Sequence, residues 1–189
     1  MILVIDTSSS TAAIATLGDR PAELFISARS QAVIPELRRI ARDNAISKVA
    51  VATGPGSFTG LRVGVSFALG LSMGLKIPIV PLPSLDLQAA RSEKPVTAVV
   101  EAGRGRFYYG APGGDAALGD PADIPATHSL VGRLSSAGEA VLLETGHRLV
   151  PDGELRSFFE AARILLETAS EVAYGSLEIE YMQSFRARG

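Results

Sequence analysis

With 189 residues, 47% of them hydrophobic and 20% charged, the chain can bury a sizeable core as one domain or as two small lobes. Its formal net charge of −2 lacks the basic excess of a protein that grips nucleic acid unaided, so autonomous tRNA binding is not expected. The absence of cysteine excludes thiol catalysis, thiolate metal sites and disulfides.

The apolar run 2–5 is closed by Asp6 and has no basic residue before it, so it reads as a buried strand rather than a signal peptide. A polar turn over 6–10 leads into a second strand over 11–17. Gly18, Asp19, Arg20 and Pro21 then mark a turn before a third strand over 22–27. Residues 30–45 place Val33, Ile34, Leu37, Ile40 and Ala41 at helical spacing, with Arg38, Arg39 and Arg42 on the other side. A fourth strand over 48–53 runs into a loop of Gly54, Pro55, Gly56, Ser57, Phe58, Thr59, Gly60, Leu61 and Arg62.

A helix is expected over 61–75, rich in small residues (Gly64, Ser66, Ala68, Gly70, Ser72, Gly74). Each helical glycine costs about 1 kcal/mol relative to alanine, so the set predicts close approach by a neighbouring element. A strand over 77–81 and a helix over 84–90, opened by Ser84 as N-cap, follow. The pattern restarts near residue 93, which divides the chain into lobes 1–93 and 94–189. The second lobe is expected to hold strands over 96–101 and 106–110 around a turn at 102–105, then an irregular connection over 111–127. A strand over 140–144 and a helix over 158–174 complete it. No apolar run is long enough to span a bilayer, because glycines, Lys76 and prolines interrupt 63–82; a cytoplasmic protein without membrane partners is expected.

Two constellations suggest chemistry. Asp6, Thr7 and Ser8 place a carboxylate beside hydroxyls and amides, which suits Mg²⁺ and a nucleotide phosphate such as that of ATP or ADP; the alternative is an Asx turn that only reverses the chain. The loop Gly54, Pro55, Gly56, Ser57, Gly60, Arg62 is neither a Walker A motif nor a dinucleotide fingerprint, and Pro55 rules out a nucleophile elbow. It is either a structural turn or a phosphate or partner contact at a helix N-terminus. His128 and His147 are far apart, with no His-x-x-x-His pair, and read as surface or loop histidines; no metal site is expected. Glu101 with Arg104 and Arg106 is either an anion site between the lobes or a charged hairpin tip.

The pairing of Val4, Ile5, Asp6, Thr7 and Ser8 with the run from Gly54 to Gly64 resembles the TsaB (YeaZ) proteins of bacteria. Ser30 with Gln31, Pro83 with Ser84 and Leu85, and the hairpin Glu101 to Tyr108 extend the likeness over roughly residues 1–110. Beyond that it fades to Tyr181 and the nearby arginine tail. Arg29 stands where family members often have His, and Glu101 where they usually have Asp. The resemblance implies an α/β fold of the actin/Hsp70/sugar-kinase type, with two ribonuclease H-like lobes, the second reduced. It implies a non-catalytic scaffold role in making N6-threonylcarbamoyladenosine at position 37 of tRNA. The scaffold supports TsaD, which carries the metal-binding His-x-x-x-His pair, together with the ATPase TsaE, and needs no cofactor of its own.

On that reading the two helices offer an apolar face to TsaD, or to a second copy in a homodimer, with Val33, Ile34, Leu37, Ile40, Val63, Phe67 and Leu71 as candidate contacts. Some of these must face the protein's own sheet. The rival is a stand-alone phosphotransferase or ATPase working through Asp6 and the glycine loop. It lacks a clear second carboxylate and an evident general base.

Overall fold

The computed structural model describes residues 1–181; the arginine tail beyond lies outside the described residues. Two sheets organise them. The first has the order β3-β2-β1-β4-β5 and the second β8-β7-β6-β9.

In the first sheet β1 (Ile2–Asp6), β2 (Thr11–Leu17) and β3 (Ala22–Ser27) form an antiparallel meander, as the turn residues between them require. β4 (Lys48–Gly54) pairs with β1 in parallel, and β5 (Ile79–Pro83) pairs with β4 in parallel. Parallel neighbours need crossovers, and α1 (Val33–Asp43) and α2 (Phe58–Leu75) supply them. Both helices cover one face of the sheet, where Leu3, Ile5, Val49 and Val51 meet Val33, Leu37, Ile40, Val65 and Ala68. On the opposite face Val4, Ala13, Ala50 and Leu82 meet Leu87 of α3 (Ser84–Ala89) and Phe158 and Ala162 of α5 (Phe158–Leu166).

The second sheet joins β6 (Thr97–Gly103), β7 (Arg106–Gly110), β8 (Ala117–Gly119) and β9 (Leu130–Val131). One face packs on Leu85 of α3 through Ala98, Val100 and Tyr108. The other packs on Leu142 of α4 (Ser136–Glu144) through Val99, Phe107 and Leu130. Helix α3 thus lies between the sheets, giving Leu87 to one core and Leu85 to the other. A division at residue 93 separates the two sheets, but α5 lies on the first, and Val172 bridges to Ile79 at its edge. The stretch after α5 runs along α2 and β5, with the Tyr174 hydroxyl bonded to the carbonyls of Ser72 and Ile77.

Several expected elements differ. Residues 140–144 are helical, within α4, because Ser135 caps the helix by accepting the Gly138 N–H; the apolar run is too short to show its period. Helix α5 stops at Leu166 rather than 174, and its start is fixed by a capping box between Ser157 and Glu160. Strand β5 begins two residues late because Lys76 (φ 56°) and Ile77 close the C-terminus of α2 onto the carbonyls of Met73 and Ser72. Ser84 is not the cap of α3: its hydroxyl accepts the Gly54 N–H at 3.2 Å, pinning the end of β4. The connection over 111–127 contains β8 and a 3-10 turn at Pro121–Asp123.

Candidate functional site

The glycine loop packs on the β1–β2 turn. Asp6 is buried, and its Oδ1 accepts the Ser8 N–H at 2.9 Å, an Asx turn. The Ser57 N–H donates to the Ser8 carbonyl at 2.7 Å, and the Thr7 hydroxyl donates to the Gly60 carbonyl at 2.7 Å. Contact this close explains the glycines. A Cβ on Gly56 would lie 2.5 Å from the Ser8 carbonyl oxygen, and one on Gly60 would overlap that of Thr7. One on Gly64 would overlap the Thr7 hydroxyl, and Gly54 has a φ of 116°, open to glycine but strained for other residues. The Gly54–Pro55 peptide is cis. The space freed by Gly56, Gly60 and Gly64 is therefore taken by Thr7 and Ser8, and that beside Gly54 by the Glu180 carbonyl. The amides at the start of α2 are also partly used, since Ser57 Oγ accepts the Gly60 N–H. These contacts make the loop and the β1–β2 turn one packed structural unit, within which Asp6 Oδ2 and Ser8 Oγ have no hydrogen-bond partner among the described residues.

One cation does approach Asp6, and nothing in the sequence pointed to it. Arg133, in the loop after β9, stacks its guanidinium 4.2 Å from the Phe25 ring centre on β3 and 5.4 Å from that of Phe158 on α5. Burial pushes it down to about 10 and neighbouring Arg91 adds to that, while Asp6, Asp152 and Glu23 act in the opposite sense. It ties the loop after the second sheet's β9 to β3 and α5 on one face of the first sheet. Glu101 forms no anion site with Arg104 and Arg106: it accepts the N–H and hydroxyl of Ser135 at 3.0 and 2.6 Å, holding the start of α4, while Arg106 reaches Asp120 and the Leu118 carbonyl. His147 is not a surface residue; it is buried and donates from Nε2 to the Pro121 carbonyl at 2.8 Å. Among the described residues no three His, Cys, Asp or Glu side chains gather as a metal site would require.

The second candidate is the outer face of the helix pair. Of the seven expected contacts, Val33, Leu37 and Ile40 are buried against the protein's own sheet and cannot meet a partner in this fold. Ile34, Phe67 and Leu71 are half-buried, and Val63 is exposed. Helix α2 is apolar nearly all round, yet Thr59, Arg62, Val63, Ser66, Gly70, Met73 and Gly74 form an outward stripe at helical spacing. Met73 is 57% exposed, and a Cβ on Gly70 or Gly74 would meet nothing within 4 Å. Contrary to the sequence expectation, α2 is long and apolar enough to cross a membrane by length and composition. Its inward face, with Leu61, Val65 and Ala68, is nonetheless part of the sheet's core. At its N-terminal end Phe58, Arg62 and Tyr181 cluster: the guanidinium lies 3.8 Å over the Phe58 ring, and the two aromatic rings are 5.2 Å apart.

Two α/β lobes, the second reduced, joined through a helix held between their sheets, define a protein of the actin/Hsp70/sugar-kinase type. Residues 16–133 match the family model described as TsaD: tRNA N6-adenosine threonylcarbamoyltransferase, and the chain belongs to that family, on its TsaB (YeaZ) branch. The tRNA threonylcarbamoyladenosine biosynthesis protein TsaB of Bacillus subtilis is 35% identical over 122 residues, covering 58% of this chain and 53% of that one. The protein of the same name from Escherichia coli is 29% identical over 122 residues, covering 57% and 53%. The chain thus spans about half the length of the curated relatives it matches. YeaZ from Pseudomonas aeruginosa superposes with a TM-score of 0.73 at 19% identity, over 96% of this chain and 99% of that one, which shows a shared fold.

Proposed function

We propose that the chain takes part in N6-threonylcarbamoyladenosine biosynthesis as a non-catalytic scaffold that docks TsaD through the outer face of α1 and α2, with TsaE joining the assembly. The relatives' names supply the pathway. The observation that carries the docking role is the exposure of Phe58, Val63, Met73 and Leu75 on the outer side of α2, beside the polar Thr59, Arg62 and Ser66. Large apolar side chains left in solvent together on one helix mark an interaction surface.

The non-catalytic reading is supported by the structural use of the glycine loop, whose Gly56, Gly60 and Gly64 admit Thr7 and Ser8, and by the lack of any gathering of three His, Asp or Glu side chains among the described residues. A peptidase reading would rest on Ser57, whose hydroxyl serves as a helix cap, while His128 bonds to Thr127 and His147 to Pro121. The test is co-purification with TsaD and TsaE of the same organism, followed by a tRNA modification assay with and without this chain. Val63→Asp should abolish capture of TsaD and the modification while leaving the fold intact. Undiminished capture by that variant, or ATP turnover by the isolated chain in calorimetry, would overturn the scaffold reading.

A further inference from the structure

Resting on that docking reading, we propose that the groove between α1 and α2 receives a carboxylate carried on an apolar partner helix. The groove, about 560 Å³, has apolar walls from Ile34, Val63 and Phe67, and two guanidinium groups, Arg38 and Arg62, at its lining. Among the described residues no aspartate or glutamate lines it.

The three arginines of α1 are treated differently by the fold. Arg39 pairs with Glu36 at 2.8 Å and lies 3.7 Å from Asp43, and Arg42 pairs with Asp43 at 2.9 Å. Arg38, the one that turns into the groove, makes no ion pair or hydrogen bond among the described residues. Across from it Arg62 stacks on Phe58 and donates to the Tyr181 hydroxyl at 3.3 Å, a neutral partner, and no carboxylate pairs with it among the described residues. A chain of net charge −2 therefore places in this groove two guanidinium groups that have no carboxylate partner among the described residues.

Covering that groove with a purely apolar face would strip water from both guanidinium groups without compensation, which is costly. A carboxylate removes the conflict, because the guanidinium fork matches its two oxygens. The same charges disfavour a second copy of this chain: a two-fold pair centred on the groove would set arginine against arginine. The occupant is a different protein, with an acidic residue among apolar ones on one helix face.

The test measures binding of purified TsaD at low and moderate salt to wild type, Arg38→Glu, Arg62→Glu and Val63→Asp, after confirming unchanged melting temperatures. Any variant that melts early is replaced by the glutamine substitution at the same site. The arginine reversals should weaken binding about tenfold or more and flatten its salt dependence. If Val63→Asp abolishes binding while both reversals leave affinity and salt dependence unchanged, the carboxylate inference fails and the docking reading stands. If none of the variants changes binding, both fail. If Arg38→Glu instead splits a homodimer of the isolated chain in sedimentation, the occupant is a second copy and the proposal is overturned.

Discussion

The two faces of helix α2 use the same residue types to opposite ends. On the sheet side Gly60 and Gly64 are small because Thr7 presses on them, and Leu61, Val65 and Ala68 are sealed in the core. On the outer side Gly70 and Gly74 face open space, and Val63, Met73 and Leu75 are exposed. A glycine that admits a neighbour is needed for folding. A glycine with nothing above it lowers helix stability with no return inside this chain, so its use is sought outside it.

The comparison can be broken at several levels. The largest effect belongs to the inward side. Leu37→Ala, at a fully buried position of α1, should lower unfolding free energy by about 2–5 kcal/mol in denaturant titration. Gly60→Ala should cost about 1–3 kcal/mol, since the added methyl overlaps a backbone oxygen that cannot swing away. On the outward side the sign should reverse: Gly70→Ala should raise stability by about 0.5–1 kcal/mol, and a loss of that size would mean the outer face is packed after all. Met73→Lys should leave stability within about 0.5 kcal/mol yet weaken capture of TsaD.

A control outside the helix pair sharpens the scale. Hydrogen bonds from the Ser157 hydroxyl and N–H hold the Glu160 carboxyl below its usual range. A depressed carboxylate contributes stability above its unfolded value and loses it as pH falls through the folded one. The melting-temperature gap between wild type and Glu160→Gln should therefore close on acidification, and a gap that widened would contradict the capping box.

Much of this was legible locally. The strands of the first meander follow from Asp6, Gly18 and Pro21, whose turn chemistry acts over a few residues. The run Ala140 to Leu143 was misread because four apolar residues carry no period, and the deciding cue, Ser135, sits before them. The site was harder. The glycine loop stands out in the chain, but its occupant is Thr7 and Ser8, about fifty residues earlier, and only folding brings them together. The apolar side of α1 was legible, but its division was not: Ile34 and Leu37 both lie on it, and the sheet alone decides that Leu37 is inside and Ile34 only half-buried. Arg133 gave no signal, being a single cation in a loop after a two-residue strand.

The return of α5 to the first sheet has a consequence for biosynthesis. As the polypeptide leaves the ribosome, β1 to β5 emerge with α1 and α2 ready to shield one side. Phe158 and Ala162, which shield the other, are made only after the whole second sheet. Until then Val4, Ala13, Ala50 and Leu82 wait for part of their cover, and nascent chains arrested before residue 158 should bind chaperones more than those arrested after 166.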